Sequence, residues 1–229
     1  MAEAETKTLP ILSTNEMLKR LDQTQDQLLS AFTDRADKGK EFSYEHFYLY
    51  GIANRTLAQT RAFKHCVEDR NGLVATAMLR LQLDTALRLY ALFWVADADT
   101  FSEEVFKGKQ IDHLKAADGE LMKDKYLRNK LVATYPWVET VYKHTSSSIH
   151  FSNRHILDAL EVNDEATGAC TLRLWSNKPD QPIEDYADCV AGFQHINMII
   201  LTAVQDWFER FDLFVGTAVN PANFGGHDT

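Results

Sequence analysis

The sequence predicts an all-α fold: a helical bundle around a central buried helix at about 73–97, with a small β-hairpin at about 160–176 before the last long helix. Three observations predict it. Leu73 to Val95 is apolar at nearly every position, so a helix there is buried on most sides rather than along one stripe. Leu160-Glu161-Val162 and Cys170–Trp175 alternate around a turn at Asn163–Gly168, the period of paired strands. From Ile183 to Phe214, apolar side chains including Val190, Phe193, Ile200, Val204, Trp207, Phe211 and Phe214 mark a long helix.

The elements follow in order. Residues 1–12 read as a flexible lead-in, residues 13–215 as one helical domain and residues 216–229, rich in Gly, Asn and Pro, as a disordered tail. Ser13 and Glu16 have capping-box spacing. The helix behind them carries Leu18, Leu21, Leu28, Leu29 and Phe32 on one stripe and ends near Lys38-Gly39. A second helix starts around Ser43, holds Phe47, Tyr50, Ile52, Leu57 and Phe63, and closes before the turn Asp69-Arg70-Asn71-Gly72. After the central helix, Thr100 and Glu103 give a second capping-box spacing for a short helix ending at Gly108. Lys109 to Asp124 reads as short turns and loop, and Lys125 to Tyr135 as a brief helix. Pro136 suits the first position of the next helix, which runs from Trp137 to about Phe151.

The balance of 24 Lys and Arg against 33 Asp and Glu gives a net charge of −9, which disfavours a nucleic-acid partner for the surface as a whole. The charge is uneven. Lys107 to His155 holds nine basic and five acidic residues, together with four of the eight histidines, so a local anion site is compatible with an acidic chain. Three cysteines without paired or metal-type spacing argue against a disulfide framework and fit a reducing cytoplasm. The start MAEAETKTLP lacks the pattern of a signal peptide. The 73–95 stretch is long enough to span a bilayer, but Arg80, Asp84 and Arg88 near its middle make insertion costly, and no membrane association is expected.

Two constellations carry chemistry. Arg80, Asp84 and Arg88 recur four apart and stack on one helix face. They form either a self-neutralising ion ladder or, because two cations share one carboxylate, an anion site. The run from Tyr142 to His155 is the second. If its helix persists, Lys143, Ser147, His150 and Arg154 share a face. The serines there serve either a close helix crossing or a polar site with His150 as acid–base group, its ordinary pKa lying near neutrality. A zinc site from His144, His150, His155 and Asp84 has no usable spacing, and no nucleophile elbow, phosphate loop or dinucleotide fingerprint is present. No cofactor or metal is expected.

A helix with an Arg-x3-acid core (Arg80, Asp84), then Tyr-x4-Ser-x2-His (Tyr142, Ser147, His150), then a hairpin and a final long helix resembles a group of uncharacterised bacterial helical proteins. It is broadly similar to the HEPN superfamily of helical nucleotide-binding and ribonuclease domains, over residues 43–214 at the level of layout. The resemblance implies binding or metal-free cleavage of RNA or a nucleotide, commonly across a dimer interface. His150 would move the proton and Asp84 would orient it or an arginine. Arg80, Arg88, Tyr142, Lys143, Ser147 and Arg154 would surround the phosphate. The chain departs from the nuclease pattern: the cation upstream of His150 is Lys143, seven positions away, and Arg154 follows the histidine. The alternative expectation is a non-catalytic interaction module. A homo-oligomer is expected on either reading.

Overall fold

A computed structural model describes residues 12–36, 42–164, 167–174 and 176–210. Eight α-helices and one hairpin make up the described chain, an all-α architecture: α1 (Thr14–Ala36), α2 (Tyr44–Glu68), α3 (Gly72–Ala91), α4 (Ala98–Phe106), α5 (Asp124–Thr134), α6 (Val138–Ser146), α7 (Asn153–Asp158), β1 (Leu160–Asp164), β2 (Ala169–Leu172) and α8 (Ala187–Arg210). The expected lead-in up to Ile11, the end of α1 near Gly39, Trp175, and Phe211, Phe214 and the tail lie outside the described residues.

α3 is the hub, packing against α2, α8, α5 and α6. Leu79, Leu83, Leu87 and Leu89 are buried, as are Gln82 and Thr85 between them. The buried amides are linked in a relay, with Gln82 Oε1 left without a partner among the described residues. Gln82 Nε2 donates to Asn197 Oδ1 at 2.6 Å, and Asn197 Nδ2 donates to Thr60 Oγ1 at 3.0 Å. That relay ties α3 to α8 and α2, since a buried polar group costs stability unless it is paired. Beside it, the rings of Phe63 and Phe193 stack with centroids 4.0 Å apart. Ile183–Glu209 is the described stretch long and apolar enough to cross a membrane, and 56% of its apolar 18-residue window is buried inside the fold.

Several boundaries differ from the sequence reading. The central helix stops at Ala91 rather than near 97, because Leu92, Phe93 and Trp94 turn over i−3 hydrogen bonds and Trp94 O accepts from Ala117 N at 2.8 Å. α4 is capped by Asp97, whose carboxylate accepts from the backbone N–H of Asp99 and Thr100, and not by Thr100 with Glu103. Leu29 is 47% exposed and lies off the buried stripe that Leu18, Leu21, Leu28 and Phe32 form.

The helix expected to run to Phe151 ends at Ser146. Thr145 Oγ1 and Ser146 Oγ donate back to the carbonyls of Val141 and Tyr142, and Ser152 Oγ donates to Ser147 O. Hydroxyls that bind carbonyls locally loosen the helix and favour a turn. α7 then restarts from Ser152, capped by His155, whose Nδ1 accepts from Ser152 N at 3.1 Å. The hairpin sits where it was expected, with Leu160 opposite Leu172 and Glu161 opposite Thr171.

Candidate functional site

The arginine stripe of α3 is paired, but with more partners than its own helix supplies. Asp84 forms an ion pair with Arg88 at 3.2 Å and faces Arg55 of α2 at 3.6 Å. Asp124, the first residue of α5, contacts Arg88 and lies 3.9 Å from Arg80. Arg80 is buried, and its guanidinium carbon sits 4.3 Å from the centroid of the Tyr142 ring. A cation over an aromatic face replaces part of its lost hydration. Arg128 lies over the same ring at 4.9 Å. Burial alone would lower the Arg88 pKa, but Asp84 and Asp124 outweigh it and hold the guanidinium firmly charged. Three guanidiniums (Arg55, Arg80, Arg88) thus share two carboxylates, leaving one formal positive charge in the network.

That network closes one side of a cavity of about 340 Å³ between α2, α3 and α4. Its other walls are apolar, formed by Phe47, Ile52, Val105, Phe106 and Ile111. Helical spacing explains the lining: positions 84, 85 and 88 share a face of α3, and 48, 51, 52 and 55 share one of α2. Ser102 lines it too, only 1% exposed, with no hydrogen-bond partner for its hydroxyl among the described residues. Arg88 Nη1 is buried and equally without a hydrogen bond. Tyr48 donates to Arg88 O at 2.8 Å, and burial raises its phenol pKa, fixing the floor as neutral. An apolar chamber with a few convergent polar groups is the usual form of a small-molecule site.

The second constellation is dispersed by the break after Ser146, so Lys143, Ser147, His150 and Arg154 do not share a helix face. Tyr142 does reach α3, over Arg80. Lys143 is exposed and pairs with Glu139 at 3.1 Å. Ser147 caps α6, and its carbonyl accepts from Ser152. His150 is exposed in the turn and lines neither this cavity nor the one described next. Arg154 donates to Ser148 Oγ at 3.1 Å and Thr76 Oγ1 at 3.2 Å, at a polar cavity of about 350 Å³ near the start of α3. There Arg70, Arg154 and Lys178 are balanced by Asp158, Asp185 and Asp188, and burial pushes the Cys189 thiol up to about 12. Among the described residues, no group of three His, Cys, Asp or Glu is placed to hold a metal ion.

Structure brings together Arg80, Asp84, Arg88 and Tyr142, and leaves His150 apart. It adds Arg55, Asp124, Arg128 and Ser102, which the sequence reading missed. Asp124 carried a faint signal, an acidic residue in the first turn of a helix, where the dipole favours it. Arg55 and Ser102 carried none, being ordinary polar positions on amphipathic helices. No family model matches the chain, and no curated protein or solved structure matches it significantly.

Proposed function

We propose that this chain is a binding protein for a small organic anion, held in the cavity between α2, α3 and α4. The observation that carries the reading is the excess guanidinium charge on one side of an otherwise apolar chamber. A buried or half-buried positive charge favours an anion there, because the ligand supplies the missing counter-charge. Arg55, whose side chain is 46% exposed, is the group an incoming carboxylate or phosphate meets first. Phe47 and Phe106 supply aromatic surface for the body of the ligand. A nucleoside monophosphate combines both parts, and it is the ligand class that the HEPN-like resemblance also implies.

Binding rather than cleavage is the form of that resemblance the cavity supports. His150 lies outside the lining, so no acid–base group of the expected kind reaches a ligand held by Arg55 and Arg88. Calorimetric titration with nucleoside monophosphates and with simple aryl carboxylates tests the proposal. The expected result is a saturable one-to-one isotherm that Arg55→Gln weakens about tenfold, the loss of roughly 1.4 kcal/mol of charge-assisted bonding. Absence of saturable binding by both ligand classes, or equal affinity in Arg55→Gln, overturns it.

A further inference from the structure

Both faces of the hairpin are open to solvent, the apolar one as well as the polar one. Successive strand side chains point to opposite faces. One face carries the Glu161–Arg173 ion pair and the hydrogen bond from Asn163 Nδ2 to Thr171 Oγ1 at 2.7 Å. Cys170 and Leu172 alternate with those residues, and both are exposed, Leu172 at 76%. Leu174 beyond them is fully exposed. The neighbouring turn and α7 also expose large apolar side chains, Phe151 at 83%, Ile156 at 53% and Leu157 at 60%. α7 runs directly into β1 and contacts it, so these side chains belong to one excursion of the chain. A two-stranded sheet is marginal in water by itself, and clustered exposed large apolar side chains of this kind mark an interaction surface.

We infer that this surface is the contact between two copies of the chain. The inference stands apart from the anion site, whose lining includes none of these residues. Exposed to this degree, five large apolar side chains offer roughly 600 Å² per copy, or about 1,200 Å² for a pair, which reaches the lower bound of a specific interface. The flanking charges come as opposite pairs, Glu161 with Arg173 and Asp158 with Lys178, so a two-fold copy brings no block of like charge against itself.

Sedimentation velocity from low micromolar to several hundred micromolar tests the inference on the full chain. Wild type is expected to shift from monomer to dimer as concentration rises, and the double variant Leu172→Glu, Leu174→Glu to remain monomeric with unchanged helical circular dichroism. A wild type that stays monomeric throughout, or a folded double variant that still dimerises, overturns it. A second readout needs no variant. Peptide mapping of thiol labelling is expected to show Cys170 reacting several-fold more slowly at high than at low protein concentration. Labelling of Cys170 that is independent of concentration overturns the inference even if the variant fails to fold.

Discussion

The buried guanidinium of Arg80 lies over the ring of Tyr142, 4.3 Å from its centroid, and joins the core helix α3 to α6 across 62 positions in sequence. Arg80 Nε makes no hydrogen bond among the described residues, so the ring face is a principal compensation for its burial. Tyr142→Ala removes that compensation and leaves a cavity, and is expected to lower stability by about 3 kcal/mol. Tyr142→Phe keeps the ring and is expected to stay within about 0.5 kcal/mol of wild type. Urea unfolding of both variants checks the pair.

Asp124 bridges Arg80 and Arg88 from another helix. Its side chain is 46% exposed, so screening keeps the coupling modest. A double-mutant cycle of Asp124→Asn with Arg88→Gln is expected to give a coupling of about 1 kcal/mol that shrinks in high salt. A zero coupling at low salt would show that the bridge adds nothing to the docking of α5 on α3.

Glu45 sits at the start of α2, 8% exposed, with one carboxylate oxygen lacking a hydrogen bond. Burial first, then the charges of Asp99 and Asp97, push its carboxyl up to about 7, against a downward pull from the Trp207 indole. The folded state therefore holds the proton more tightly than the unfolded chain, whose carboxyl keeps the ordinary value of 4.5. The stability this contributes is complete below that ordinary value and is lost as pH rises towards 7. Glu45→Gln is expected to melt about 2–4 °C above wild type at pH 8, with the two converging near pH 4. Thermal melts across that range decide it.

His150 is exposed in the turn between α6 and α7 and lines neither cavity. His150→Ala is expected to change stability by less than about 0.5 kcal/mol. It is also expected to leave anion binding at Arg55 and Arg88 unchanged. Loss of an RNA-cleaving activity in this variant, with binding retained, would restore to His150 the acid–base part that the HEPN-like resemblance implies. A ribonuclease assay run beside the titrations separates these outcomes.

Local chemistry explains how far the sequence could be read. The central helix, the last helix and the hairpin were legible because periodicity and composition are properties of neighbours along the chain. Capping by Ser13 with Glu16 was equally legible and is present, with Ser13 N donating to Glu16 Oε2 at 2.8 Å. The break at Ser146 is half legible: a run of serines stands in the sequence, but whether their hydroxyls turn back on the carbonyls is a choice the local sequence leaves open. The pairing of Arg88 with Asp84 was readable from its spacing.

By itself, then, the sequence determined an all-helical bundle with one hairpin, a core helix bearing charge, and the residues of that charged stripe. Only the tertiary structure decided what the stripe meets. Arg55 and Asp124 lie 29 and 40 positions from Asp84 and reach it or its partner only because α2 and α5 pack on α3. Packing likewise put Tyr142 over Arg80 and left His150 in the solvent, and it turned the apolar positions of the hairpin outward. Side-chain spacing is fixed by the backbone repeat, whereas the counter-charge and the cavity wall are contributed by whichever helices the core brings alongside.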